Sequence, residues 1–149
     1  MAIKNYTSTV PASQSLGEIQ ESLAKHGARK VMVDYDDAGE PCGTTFALAG
    51  PEMGNMHGFF LPANVDGVLA VFSKQKVKAD RAQAMKTAWR NLRDWVLAQM
   101  ALVEAGQAML DEVFFPYLTD GCGNTIYSAY RSGQLSLSMG ETPQQIEKP

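Results

Sequence analysis

The chain has 149 residues, with 13 Lys and Arg against 16 Asp and Glu, a net charge of −3 and a hydrophobic fraction of 45%. That length fits one domain able to bury a core without metal or disulfide staples, and the composition excludes a disordered chain. Cys42 and Cys122 form no CxxC pair, "MAIKNYTSTVP" lacks the apolar core of a secretory signal, and no apolar run reaches the ~18 residues of a membrane span. The expectation is a soluble cytoplasmic protein with no membrane partner.

In chain order, "KNYTSTV" reads as a candidate edge strand, and "SLGEIQESLAKHG" as a helix. Ser15 and Glu18 have capping-box spacing, Leu16, Ile19 and Leu23 recur on one face, and Gly27 is placed to end the helix in a left-handed conformation. "ARKVMVDYDDAGEPCGTTFALAG" has the alternation of a hairpin around the turn "DDAGE", and "MHGFFLP" reads as a third strand stopped by Pro62. From Asn64, an N-cap, the period becomes helical: a short helix through "NVDGVLAVFSKQ", then a long one capped by Asp80 and running from Arg81 towards Phe115, with Gly106 inside it as a kink or a close helix–helix contact. "GCGNTIYSAYRSG" is a turn and a short apolar element, and "GETPQQIEKP" a frayed tail.

This order predicts an α+β fold: a small antiparallel sheet of three or four strands, a helix packed across it and a long C-terminal helical arm. It divides as a single domain over 1–139, with a sheet region 1–63, a helical region 64–118 and a short terminal element 119–139, followed by a flexible tail 140–149.

Charge is unevenly placed. Between Lys74 and Arg93 stand seven basic residues and one acid, Asp80, leaving a balance of −9 for the rest of the chain. The functional reading of this segment is a nucleic-acid surface: Lys74, Lys76 and Lys78 on a linker and Lys86, Arg90 and Arg93 on one helix face meet phosphates, with Trp89 as a stacking platform for an unpaired base. The structural reading makes Trp89 core, since it falls at apolar spacing, and makes the basic residues a solvated face with Arg93 paired to neighbouring acids. At the far end, Met109, Val113, Phe114, Phe115 and Tyr117 give more hydrophobe than a lone helix end hides, which points to homo-oligomerisation or docking on a host or phage protein.

Catalytic patterns are not found. His26 beside Gly27 suits a helix C-terminus, and His57 lies in a short strand. Asp34, Asp36, Asp37 and Glu40 do not space as a calcium loop and are explained by hairpin chemistry, so no metal is expected. No glycine-rich phosphate loop or dinucleotide fingerprint follows a strand, so no cofactor and no enzymatic activity are expected.

The blocks "KNYTSTVPASQSLGEIQESLAKHGARKVMVDYDDAGEP", "FFLPANVDGV" and "AWRNLRDWVLAQMALVEAGQAMLDEVFFPYL" resemble a family of small proteins with no assigned activity, carried by phages, prophages and integrating elements. The resemblance covers all but about the last dozen residues, and "AWRNLRDWVLAQ" is its most specific piece. It implies a setting in the cytoplasm of a bacterial host and carries over no catalytic residue. The functions it implies are work in DNA replication or recombination, or blunting of a host defence. Within that setting the basic stripe beside Trp89 points to single-stranded DNA, and the acidic remainder with the apolar "MLDEVFFPYL" end to an anti-defence or adaptor role that occupies a host protein or sequesters a nucleotide signal.

Overall fold

A computed structural model describes residues 1–52 and 54–134. Its centre is a four-stranded antiparallel meander, β1 (Lys30–Tyr35), β2 (Pro41–Ala49), β3 (Met56–Pro62) and the two-residue β4 (Leu118–Thr119), in spatial order β1-β2-β3-β4. The register pairs Val31 with Phe46, Phe46 with Phe59 and Phe59 with Leu118, so one face of the sheet carries a continuous apolar row. Two helices cover that face, α1 (Ala12–Lys25) and α3 (Arg81–Glu104). Leu16, Ile19 and Leu23 of α1 and Trp89, Val96 and Met100 of α3 close the core over Phe46, Leu48, Phe59 and Leu61.

The two covering helices run parallel. Ser15 and Glu18 of α1 meet Arg90 and Arg93 of α3, while His26 at the end of α1 meets Glu104 at the end of α3. α2 (Val65–Lys74) buries Val65, Val68 and Phe72 against Ala84 and Ala88, a second cluster on the flank of α3. Asn64 and Asp80 cap their helices as expected, accepting from Gly67 N and Gln83 N, each at 2.9 Å.

The α+β class is as expected, and three local expectations are corrected. The long helix lies mid-chain and is not a C-terminal arm: it stops at Glu104 in a Schellman turn, with Gln107 N bonded to Leu102 O, Gly106 N bonded to Val103 O, and Gly106 at φ +78°. Past it come α4 (Leu110–Phe114), a single 3₁₀ turn (Phe115–Tyr117), β4 and α5 (Ile126–Arg131). The apolar periodicity runs on because α4 folds back onto the same core that α3 covers.

α1 begins three residues before the proposed capping box, with Pro11 as N-cap, so Ser15 is buried inside the helix and not at its start. Gly27 does terminate α1, at φ +116°. "KNYTSTV" forms turns and not an edge strand: Asn5 sits at φ 64° and Ser8 N bonds back to Asn5 O. The tail expectation for 140–149, and the part of the terminal element beyond residue 134, lie outside the described residues.

Candidate nucleic-acid interface

The basic segment divides by residue type. Arg81, Arg90 and Arg93 are all engaged by carboxylates. Arg81 reaches Glu40 at 3.0 Å and Asp66 at 2.6 Å. Arg90 Nη1 donates to Ser15 Oγ at 3.2 Å and to Glu18 Oε1 at 3.1 Å. Arg93 Nε donates to the same Glu18 oxygen at 2.7 Å, and its Nη1 to Asp94 at 3.1 Å. Asp94 in turn holds Lys4 at 3.1 Å and accepts from Asn5 at 2.9 Å. A planar fork with five donors suits such shared, directional pairing, and the arginines here join α1, α3 and the N-terminal segment.

The carboxyl groups register this pairing. Glu18 is held below its ordinary range by hydrogen bonds from Gln14 and Arg93, against a smaller effect of burial. For Asp94, burial pushes the carboxyl up, but hydrogen bonds from Asn5, Lys4 and Arg93 outweigh it and leave it lowered. Arg90 and Arg93 are thus tied to carboxylates of α1 and α3, which favours the structural reading of these two residues over a phosphate-contact role.

Trp89 is corrected. It is 0% exposed, and its indole N–H donates to Pro41 O at 3.3 Å. No ring face is left for a base. The structural reading of its apolar spacing is the one observed.

The lysines behave differently. Lys74, Lys76 and Lys78 are exposed, and none of them, nor Lys86, has a carboxylate within ion-pair distance among the described residues. Lys74 ends α2 and Lys76 and Lys78 follow it, where Val77 N bonds to Phe72 O and Lys76 N to Ser73 O, the same Schellman geometry that glycine usually completes. Lys76 occupies its left-handed position at φ 59°, a conformation that costs a β-carbon residue about 1 kcal/mol. Cations at a helix C-terminus complement its dipole, which is one reason for Lys74 and Lys76 to be there.

Beside this turn lies a shallow hollow lined by Tyr6, Thr7, Val77, Lys78, Asp80 and Gln83. Gln83 fixes the N-terminal strap over α3 by donating to Tyr6 O at 3.0 Å and Ser8 O at 2.8 Å, and Tyr6 is 41% exposed. Lys86 lies one turn beyond Gln83 on the same side of α3. The exposed aromatic of the basic corner is thus Tyr6, which sequence reasoning missed. Its signal was Asn5, a residue that tolerates left-handed backbone and so favours a turn over a strand.

The expected interface residues also separate. Phe114 is 0% exposed and packs edge-on against Phe46 and Trp95 at centroid distances of 4.9 and 5.8 Å. Val113 and Tyr117 pack on the same core, Tyr117 against Trp95 at 5.9 Å. Phe114 is corrected as a docking residue, because α4 turns it inwards, while Val113 and Tyr117 keep part of their surface exposed. Phe115 and Met109 remain outside, at 49% and 69% exposure.

The other groups that could carry chemistry are explained by local structure. A groove of about 690 Å³ between α1 and α3 is lined by groups that satisfy one another, Glu18 with Arg93 and His26 Nε2 with Glu104 at 2.6 Å. His26 Nδ1 lies 2.7 Å from Ser22 O, so the ring acts as a helix-end tie, and the His57 ring packs over Gly50. Asp36 accepts from Ala38 N and Glu40 N, each at 2.9 Å, as the turn chemistry predicted, and no group of three metal-ligating side chains converges among the described residues. No helix among those residues is long and apolar enough to cross a membrane. No family model, curated protein or solved structure matches the chain.

Proposed function

We propose that the protein is a non-enzymatic phage accessory protein that binds single-stranded nucleic acid through Lys74, Lys76, Lys78 and Lys86, with Tyr6 beside Lys78. One observation carries this reading: the arginines of the basic segment are consumed by Glu18, Asp94, Glu40 and Asp66, while its lysines are left without ion-pair partners among the described residues. Unpaired lysines beside an exposed aromatic are the two ingredients of sequence-tolerant single-strand binding, phosphate neutralisation and base stacking. The acidic remainder of the chain repels phosphate elsewhere and confines contact to this corner. With four phosphate contacts on a single strand, log Kd should change with log salt at a slope of about 3. Anisotropy titrations of labelled single- and double-stranded DNA and RNA at several salt concentrations test this. Binding that ignores salt, or that survives reversal of all four lysines, contradicts it.

A second reading, an adaptor or anti-defence protein that occupies a host protein, is favoured by the other face of the sheet. No described helix covers that face, and it carries Met32 at 56% exposure, Met56 at 46% and the partly exposed Phe60. It predicts no affinity for nucleic acid, and loss of function on replacing Phe60 with lysine in a protein that stays folded.

A further inference from the structure

Strand β1 is an edge, and among the described residues nothing pairs with its outer side. The Met32 carbonyl is turned inwards to β2, where it accepts from Thr44 Oγ1 at 2.8 Å. By the alternation of an antiparallel ladder, the N–H and C=O groups of Val31 and Val33 therefore face outwards. Such a row of unpaired groups is a template for another strand unless something blocks it.

The residues on this edge read Lys30-Val31-Met32-Val33-Asp34, which is self-complementary when reversed. The geometry points to a homodimer in which β1 pairs antiparallel with β1 of a second copy about a two-fold axis at Met32. In that register Val31 meets Val33 of the second copy, the pair whose backbone groups are free, and each exchanges both hydrogen bonds. Lys30 then stands opposite Asp34 of the second copy, and Asp34 opposite its Lys30, on the same face as Met32. Moving the axis to Val31 or Val33 places Met32 against Lys30 or Asp34 and loses both charge pairs. The irregularity between Asp34 and Tyr35 ends the matched stretch. A charged edge that merely repelled neighbours would carry like charges at its two ends. This one carries opposite charges placed symmetrically.

The helix above the edge agrees. The far flank of α3, Leu92 and Trp95, lies towards Ala63 and Tyr117 on the β3 side, so α1 sits on the β1 side. One flank of α1 is taken by α3 through Ser15, Glu18 and His26, and its base by Leu16, Ile19 and Leu23. The flank left over the β1 edge carries Ser13, Gly17, Gln20 and Ala24, three of them small. The two-fold axis brings this flank against its own copy, and short side chains let the helices approach. A β-carbon added at Gly17 meets nothing within 4 Å in the single chain, so a larger side chain there starts in open space on the flank that faces the second copy.

The test is sedimentation velocity on the full chain from micromolar to submillimolar concentration, with unfolding curves as a control. The wild type should form a dimer. Lys30→Asp should weaken it about tenfold or more, by turning two attractive pairs into repulsive ones. Combining Lys30→Asp with Asp34→Lys should restore it, and Gly17→Arg should dissociate it without loss of stability. A monomer at every concentration overturns the inference, as does a dimer that Lys30→Asp and Gly17→Arg leave intact.

Discussion

One oxygen of Glu18 accepts from two arginines of the neighbouring helix, Arg93 at 2.7 Å and Arg90 at 3.1 Å. This is where the charge of α3 is spent: α1 and α3 cross the sheet in parallel, and Glu18 ties them at mid-length. Glu18→Ala leaves both guanidinium groups without that acceptor. The side chain is partly exposed, so the cost is about 1–2 kcal/mol in urea unfolding, with Glu18→Gln losing less because it still accepts.

The same pairing sets the acid limb of stability. Glu18 and Asp94 are both lowered, so the stabilisation they supply is fully present above the unfolded carboxylate pKa of about 4 and is lost as pH falls through their folded values. Unfolding free energy should be flat with respect to these two groups from neutral pH to about pH 5 and fall below about pH 4. Glu18→Gln should make that fall shallower. An unchanged acid limb in this variant would remove Glu18 from the account.

Trp89 and Trp95 should report different environments. Trp89 is buried and hydrogen-bonded to Pro41 O, whereas Trp95 is partly exposed against Phe114 and Tyr117. In a Trp95→Phe background the remaining emission should be blue-shifted, resist iodide quenching and stay unchanged on adding nucleic acid. Trp89→Ala should cost about 3–5 kcal/mol, as large aromatic truncations in cores do.

Phe114 and its neighbour Phe115 should part company in the same way. Phe114→Ala removes a ring stacked edge-on between Phe46 and Trp95 and should cost about 3–5 kcal/mol, while Phe115→Ala should stay within about 0.5 kcal/mol. Thermal unfolding of both variants checks it.

Much of this fold was legible because its signals are local. The hairpin turn at Asp36, the caps at Asn64 and Asp80 and the stop at Gly27 each rest on a side chain or a backbone preference within a few residues. The failures are tertiary. α3 and α4 carry one apolar period because both face the same core, so the break at Gly106 was masked by the residues on either side of it. Ser15 and Glu18 have the spacing of a capping box, yet they sit inside α1 because their partners are Arg90 and Arg93, some 75 residues away. The basic segment failed as one surface for the same reason, since the acids that neutralise its arginines come from other elements. Its lysines lie at the end of α2, on the connection to α3 and, for Lys86, on α3 itself, with no carboxylate at ion-pair distance among the described residues.

Lys76 offers a separation of stability from function. Its left-handed φ of 59° suits glycine, so Lys76→Gly should raise stability by about 0.5–1 kcal/mol while weakening nucleic-acid binding. A left-handed backbone at a residue with a β-carbon motivates asking whether its charge is used. If Lys76→Gly stabilises the fold and leaves binding unchanged, the lysine has no part in the site.

The central claim is tested most directly by anisotropy of a labelled single strand titrated with wild type and with a Lys74→Glu, Lys76→Glu, Lys78→Glu variant, at low and at near-physiological salt. The account predicts salt-sensitive binding by the wild type, weakened by at least about tenfold in the variant while its unfolding curve stays cooperative. Equal binding by the two proteins, or none by the wild type at low salt, would contradict it and move the function to the uncovered face of the sheet.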